Sequence, residues 1–95
     1  MIPAAWREGE VAVLGLARTG TAAARWLSKN GFEVYGSDSG HPDTPPGEFD
    51  ELQAGGVAIE LGTHDLSRVR AASVVVASPG IPPDAPPLVA NTYRQ

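Results

Sequence analysis

The sequence predicts an α/β fold, a Rossmann-like open parallel sheet with flanking helices. Two observations predict it. Short apolar runs rich in β-branched residues alternate along the chain with stretches of helix-forming residues. Turn residues follow the first and fourth of these runs, at Gly15 and at Pro79-Gly80. A helix between two strands returns the chain to the edge where the first strand began. The alternation therefore gives parallel strands with right-handed crossovers.

The first strand, turn and helix have the clearest signals. Residues 11–14 are a continuous apolar run that stops at Gly15, as is typical of a buried parallel strand. Residues 15–20 form the expected tight turn, and residues 21–30 are helix formers. One face of this helix carries Ala23, Ala24 and Leu27. Gly31 stands where a left-handed residue commonly ends a helix.

The middle of the chain predicts a second strand, a loop, a short helix and a third strand. Residues 33–37 form the strand, with Asp38 at its tip. Residues 39–47 hold three prolines and two glycines, which predicts a loop. A short helix at 48–54 is followed by a strand at 57–61, where apolar and polar residues alternate.

The last third of the chain predicts a helical turn at 65–70 and a fourth strand at 73–77, which contains three consecutive valines. A sharp turn at 78–81 follows, and residues 88–93 start a further helix. The chain stops inside this helix, so we expect a fragment of a longer protein with a fifth strand truncated. Residues 1–95 are expected to form one domain.

Composition and charge exclude several classes of protein. The 95 residues include no cysteine, which excludes a disulfide scaffold and a thiolate metal site. The formal net charge is -4, whereas a nucleic-acid-binding surface is basic. No apolar run approaches the roughly 20 residues of a membrane helix, and the N-terminus lacks the features of a signal peptide. We therefore expect a cytoplasmic protein with no nucleic-acid or membrane partner.

The first turn and the tip of the second strand predict nucleotide binding. Backbone amides at the start of the helix carry partial positive charge. Gly15 and Gly20 let the chain turn sharply, and Asp38 stands where doubly wound folds read a ribose or a base. Ala17 replaces the middle glycine of the G-x-G-x-x-G fingerprint, which argues against a dinucleotide. The open alternatives are an NAD(P)-binding module and a non-binding α/β interaction domain.

A second turn of interest follows the fourth strand, at Ser78-Pro79-Gly80-Ile81. Parallel sheets bind ligands beyond the carboxyl ends of their strands, so this turn should share one edge with the first turn and residues 38–40. Gly80 has no side chain to cover its backbone, which suits contact with a flat ring. From the residues alone, a turn that only reverses the chain is the favoured interpretation.

Three motifs in order resemble the N-terminal domain of the Mur ligase family, in its MurD-like branch, which adds D-glutamate. The resemblance covers about residues 9–90, nearly the whole chain. Each motif alone is weak, and their order and spacing make the combination specific. The motifs are Val11-Ala12-Val13-Leu14-Gly15-Leu16-Ala17-Arg18-Thr19-Gly20, Ser37-Asp38 and Ala77-Ser78-Pro79-Gly80-Ile81.

The resemblance implies a site for the UDP end of UDP-N-acetylmuramoyl-L-alanine. In the family the first turn contacts the uracil and the diphosphate, which implicates Arg18, Thr19 and the backbone amides of the turn. The acidic residue after the second strand reads the uracil edge, and the next position offers a hydroxyl; here these are Asp38 and Ser39. The implied UDP-binding residues are Gly15, Arg18, Thr19, Gly20, Asp38, Ser39 and Gly80.

The chemistry of these side chains suits the implied roles. The Asp38 carboxylate is an acceptor and the uracil N3–H is a donor, so this residue can distinguish uracil from cytosine. Arg18 can pair with phosphate, and Thr19 can either cap the helix or bond a phosphate oxygen. The family often has a basic residue where this chain has Gly40, so one implied contact is missing unless His41 replaces it.

The resemblance also implies an ATP-dependent ligase of peptidoglycan synthesis. In the family, ATP and Mg²⁺ convert the substrate carboxylate to an acyl phosphate, which D-glutamate attacks, and a P-loop in a central domain holds the ATP. This chain contains no P-loop sequence, and its only lysine is Lys29. We expect the chain itself to bind UDP as a monomer, to hold no cofactor or metal and to catalyse nothing.

The remaining candidates are interpreted as structural residues. His64 is expected to be a loop residue at a helix start, because a metal site needs more ligands than two distant histidines. Trp6 and Trp26 are expected to be packing residues. Four carboxylates are expected on a solvated acidic face: Asp43, Glu48, Asp50 and Glu51.

Overall fold

Four strands form one sheet in the computed structural model, which describes residues 4–77. The turn predicted at 78–81, with Gly80, and the helix predicted at 88–93 lie outside the described residues. A short 3-10 helix at Ala4–Arg7 comes first. The elements that follow are β1 (Val11–Leu14), α1 (Arg18–Lys29), β2 (Val34–Asp38), α2 (Pro46–Ala54), β3 (Ala58–Leu61), α3 (Leu66–Ala71) and β4 (Val74–Ala77).

The strand order across the sheet is β3-β2-β1-β4, and every neighbouring pair is parallel. The prediction of a Rossmann-like parallel sheet is therefore confirmed. The chain moves from β1 through β2 to β3 in one direction, and then returns to place β4 on the far side of β1. The order reverses between β1 and β4, where Leu14 is in register with Ala77. Open α/β sheets bind ligands at such a reversal.

The core has two layers, one on each face of the sheet. All four residues of β1 are buried, because alternate side chains point to opposite faces and both faces are covered. The layer under α1 and α2 includes Val11, Val13, Ala24, Leu27 and Leu52, and the layer under α3 includes Ala12, Leu14, Tyr35, Val69 and Ala72. Burial of each large aliphatic side chain stabilises the fold by about 2 kcal/mol.

Two glycines allow α1 to begin close to the end of β1. Gly15 has a φ of 95°, a backbone conformation that glycine adopts without steric cost. A Cβ atom on Gly20 would lie 1.6 Å from the carbonyl oxygen of Gly15. The helix can therefore pack against the first turn only if position 20 has no side chain.

The order and type of the predicted strands and helices agree with the prediction as far as residue 77, and two helix starts differ by more than one residue. Helix α1 begins at Arg18 rather than at residue 21, because Gly20 lies within its first turn and not before it. Helix α2 begins at Pro46 rather than at residue 48. Proline is tolerated in a first turn, since the amide at that position has no partner in the helix.

The two tryptophans differ in their surroundings. Trp6 packs edge-on against Phe32, with 6.3 Å between ring centroids, as expected of a packing residue. The expectation for Trp26 is wrong, because this residue is 50% exposed. It lies off the stripe of α1 that faces the sheet, which includes Ala24 and Leu27.

Candidate functional site

Asp38 connects three segments at the carboxyl edge of the sheet. Its Oδ2 atom accepts a hydrogen bond from the Leu16 amide at 2.8 Å, and its Oδ1 atom accepts one from the Gly40 amide at 2.9 Å. Its backbone carbonyl accepts a bond from the Gly62 amide, also at 2.8 Å. The first turn, the loop after β2 and the loop after β3 therefore meet at this residue.

The Asp38 carboxylate keeps capacity for a ligand. Each carboxylate oxygen can accept two hydrogen bonds, and each one here accepts a single bond from residues 4–77. The residue is half-buried, so one side of it faces solvent. The two amides fix the orientation of the carboxylate before any ligand arrives.

The first turn presents free polar groups beside Asp38. Arg18 and Thr19 are the first two residues of α1, and both are exposed. Within residues 4–77, neither side chain makes a hydrogen bond or an ion pair. The N-cap position belongs to Ala17, which offers no side-chain bond, so the suggestion that Thr19 caps the helix is wrong. The first amides of the helix lack partners within it and can bind an anion.

The loop after β2 is tied to the first turn. The Thr44 hydroxyl donates a hydrogen bond to the Leu16 carbonyl at 2.8 Å. The Gly40 carbonyl accepts a weaker bond from the Gly62 amide at 3.2 Å. Ser39 and His41 are exposed, and their side chains make no bond in the described part of the chain. The predicted ligand hydroxyl of Ser39 is thus available.

The loop after β3 also belongs to this edge, which the sequence did not indicate. Thr63 forms an isolated antiparallel bridge with Asp38. The Nδ1 atom of His64 lies 2.6 Å from the hydroxyl oxygen of Ser37, a residue with no exposed surface. His64 does precede the helix N-cap residue Asp65, as expected. The sequence signal that could have indicated this contact is Ser37, a polar residue in the buried part of β2.

Burial favours the neutral form of the His64 imidazole. Burial lowers its pKa below the ordinary value of 6.5, and the nearby carboxylates of Asp38 and Glu60 oppose this effect without reversing it. Asp38 is thus close enough to affect the charge on this ring.

A buried tyrosine, Tyr35, holds the loop after β3 through hydrogen bonds to residues on either side of that loop. The Tyr35 hydroxyl donates to Glu60 Oε1 at 2.6 Å and accepts from the Asp65 amide at 2.8 Å. Burial raises the pKa of Tyr35, and so does the bond to Glu60. The Asp65 carboxylate in turn accepts bonds from the amides of Ser67 and Arg68, at 3.0 and 3.3 Å, and so caps α3. The backbone around His64 is therefore well ordered by hydrogen bonds.

The arrangement is suited to binding and not to nucleophilic catalysis. Ser37, His64 and Asp38 are the residue types of a hydrolase triad, but the Ser37 hydroxyl is inaccessible to a substrate. Among residues 4–77, no three His, Cys, Asp or Glu side chains are grouped to hold a metal ion. The same residues include no helix that could span a membrane.

Six of the seven residues predicted to bind UDP lie at this one edge. They are Gly15, Arg18, Thr19, Gly20, Asp38 and Ser39. The seventh, Gly80, lies outside the described residues. Gly20 is buried and its α-carbon faces the Gly15 carbonyl, so this residue offers no side chain or α-carbon to a ligand. Strand β4 ends at Ala77, beside the last residue of β1.

Residues 9–94 match the family model described as "Mur ligase MurD-like, N-terminal domain". Curated relatives carry the name UDP-N-acetylmuramoylalanine–D-glutamate ligase. One from Geobacter metallireducens is 42% identical over 80 residues, which is 84% of this chain and 18% of the relative. One from Pelotomaculum thermopropionicum is 41% identical over 73 residues, or 77% of this chain and 16% of the relative.

A third such relative, from Nostoc sp., is 41% identical over 78 residues, or 81% of this chain and 17% of the relative. The chain therefore spans less than a fifth of the length of these three curated relatives.

Proposed function

The chain belongs to the MurD-like N-terminal domain family of the Mur ligases, and we propose that it binds the UDP end of UDP-N-acetylmuramoyl-L-alanine. The parent protein would be the ligase that adds D-glutamate to this substrate, as the names of the relatives suggest. The chain would serve as the domain that holds the nucleotide while chemistry takes place elsewhere.

The observation that carries the proposal is the oriented carboxylate of Asp38. Two backbone amides hold it, and each of its oxygens can accept a further hydrogen bond. Uracil has a donor at N3, where cytosine has an acceptor. A carboxylate accepts and cannot donate, so Asp38 would favour uracil over cytosine.

The start of α1 suits the diphosphate. The free amides and the positive end of the helix dipole attract anions. The exposed guanidinium of Arg18 adds a charge that no carboxylate within residues 4–77 neutralises. The net charge of -4 does not oppose this, because phosphate binding at a helix start depends on local groups. Ser39 and the predicted contact at Gly80 would complete the site.

The ligase reaction would need residues outside this chain. Formation of an acyl phosphate requires ATP with Mg²⁺, and the sequence has no P-loop to hold them. We propose that the chain alone is inactive and monomeric, and that ATP and D-glutamate bind to other domains of a cytoplasmic ligase.

A second candidate is an NAD(P)-binding module. The strand order and an acidic residue at the tip of β2 favour it, since both are features of dinucleotide-binding folds. The exposed methyl group of Ala17 opposes it, because the pyrophosphate of a dinucleotide approaches a glycine at that position. The third possibility, a non-binding interaction domain, accounts for the structural bonds of this carboxylate but gives no role to its unused acceptor capacity.

Titration of the ¹⁵N-labelled chain with UDP and with NAD tests the proposal. We expect UDP to shift the amide resonances of residues 15–20, 38–40 and 80, and NAD to cause smaller shifts. Asp38→Ala should abolish the response to UDP. Asp50→Ala, which removes an exposed carboxylate on α2, should retain it. No response of the unmodified chain to millimolar UDP, or a stronger response to NAD, would contradict the proposal.

A further inference from the structure

Both backbone polar groups of Leu16, in the first turn, are bonded to side chains. Its amide donates to Asp38 Oδ2 at 2.8 Å, and its carbonyl oxygen accepts from the Thr44 hydroxyl, also at 2.8 Å. Its own side chain is fully buried, and a Cβ atom on Gly36 would lie 2.9 Å from its Cδ2 atom. The first turn is therefore held at this residue by β2 and by the segment that leads into α2.

The Thr44 hydroxyl comes from a segment whose backbone has little freedom. Thr44 precedes Pro45 and Pro46, and a residue before proline is confined to extended conformations. Pro45 is the N-cap residue of α2 and Pro46 is the first residue of that helix. Each proline ring fixes its own φ angle. The donor that reaches Leu16 is thus positioned by the start of α2.

The bond from Thr44 also determines where the next amide points. The peptide bond between Leu16 and Ala17 is trans and planar, so its C=O and N–H groups point in opposite directions. Because the carbonyl oxygen is directed at Thr44, the Ala17 N–H is directed away from the segment that leads into α2. This amide makes no hydrogen bond within residues 4–77. A donor just before α1 is therefore held in one orientation and left free.

We propose that Thr44 is a positioning residue, which orients the Ala17 amide toward the diphosphate of the bound nucleotide through the Leu16 carbonyl. The Thr44 hydroxyl proton is already used by Leu16, so Thr44 acts through the turn and donates nothing to the ligand. The Ala17 methyl group hinders close approach to the α-carbon but leaves the N–H free to bond an oxygen. The inference rests on the proposed binding of UDP.

This role concerns the phosphates and not the base. The Asp38 carboxylate is held by other bonds, from the amides of Leu16 and Gly40. Its proposed contact with uracil should therefore persist when the Thr44 hydroxyl is removed. A loss of affinity that affects UDP but not uridine distinguishes positioning of the amide from general damage to the fold.

The first test needs no nucleotide. A hydrogen bond to a carbonyl oxygen deshields the carbonyl carbon, so Thr44→Val should move the Leu16 carbonyl ¹³C resonance to lower chemical shift. Thr44→Ser keeps the hydroxyl and should leave this resonance close to its original position. An unchanged Leu16 resonance in Thr44→Val would overturn the inference and would leave UDP binding as it stands.

The second test compares the affinities of the chain for UDP and for uridine, which lacks the diphosphate. Thr44→Val should weaken UDP binding about fivefold, the factor expected when one backbone residue has to be ordered on binding. It should leave uridine binding unchanged, and Thr44→Ser should retain most of the affinity for UDP. In the unmodified chain, UDP should move the Ala17 amide proton to higher chemical shift.

Ser28→Ala is the matched control. The Ser28 hydroxyl donates to the Gly55 carbonyl at 3.0 Å, so it also joins α1 to the α2 segment through a hydroxyl and a backbone carbonyl. This bond lies at the C-terminal ends of both helices, away from the carboxyl edge. Its removal should lower stability without changing the affinity for UDP.

The outcomes separate the two proposals. The inference about Thr44 is wrong, and the binding function stands, if Thr44→Val binds UDP as tightly as the unmodified chain or loses affinity for UDP and uridine equally. An Ala17 amide that does not respond to bound UDP, or an equal loss in Ser28→Ala, would also overturn it. If the unmodified chain binds neither UDP nor uridine, both proposals are wrong.

Discussion

At the scale of single residues, Asp38 combines a structural and a proposed binding role. Its carboxylate holds the first turn through Leu16 and its own loop through Gly40. A side chain that is fixed by the protein loses little freedom when a ligand binds, which favours affinity. The same bonds mean that a substitution at this position affects stability as well as binding.

Asp38→Asn should weaken both the stability of the chain and its binding of UDP. An amide side chain has one oxygen, so it can accept from Leu16 or from Gly40 but not in the same way from both. We expect the free energy of unfolding to fall by about 1–2 kcal/mol in urea denaturation, together with weaker UDP binding. Asp50→Asn is the control. An unchanged urea midpoint for Asp38→Asn would contradict the observed bonding.

His64 should make stability depend on pH in a defined direction. Burial lowers its pKa in the folded chain below 6.5, so on acidification the unfolded chain takes up a proton at this ring before the folded chain does. This contribution to stability is complete above pH 6.5 and is lost as the pH falls through the folded-state pKa.

Urea denaturation at about pH 7.5 and about pH 5.5 measures this dependence. We expect His64→Gln to lose less stability on acidification than the unmodified chain. His41→Gln, at an exposed position without a hydrogen bond in the described residues, serves as the control. Equal losses for the unmodified chain and His64→Gln would rule out the assigned environment of the ring.

Sequence reasoning located Asp38 but not the partners of His64. Asp38 was predictable because it stands at the carboxyl end of a strand of a parallel sheet, and such positions meet at one edge. The bond between Ser37 and His64 joins residues 27 apart in sequence. It depends on the register of β2 against β3 and on the path of the loop after β3, and no local pattern encodes either.

At the scale of elements, the contact between the first turn and α1 sets the position of the proposed phosphate site. Gly15 turns the chain and Gly20 lets the helix start against that turn. The sequence indicated both glycines. It did not indicate that α1 begins at Arg18, because a glycine normally disfavours a helix and tertiary packing overrides that preference here.

Gly20→Ala should therefore destabilise the chain strongly. A Cβ atom at 1.6 Å from the Gly15 oxygen meets backbone, which must move. We expect the free energy of unfolding to fall by about 3 kcal/mol, measured by urea denaturation. Gly47→Ala in α2 is the matched control, because a Cβ there meets nothing within 4 Å. It should raise stability by up to about 1 kcal/mol. Equal stabilities of the two variants would refute the close packing of α1.

At the scale of the whole molecule, the order of the strands explains why the proposed site lies where it does. Alternating strands and helices predicted a parallel sheet, and the pattern of glycines and prolines predicted its turns. The order β3-β2-β1-β4 came from the structure alone, because alternation permits several orders. Its reversal beside β1 brings the first turn next to the end of β4 at Ala77.

A crystal structure of the chain with UDP tests the central claim most directly. We expect the nucleotide at the carboxyl edge, with uracil N3 within hydrogen-bonding distance of the Asp38 carboxylate and the diphosphate near the start of α1. UDP bound at the opposite edge of the sheet, with Asp38 free of ligand, would contradict this expectation.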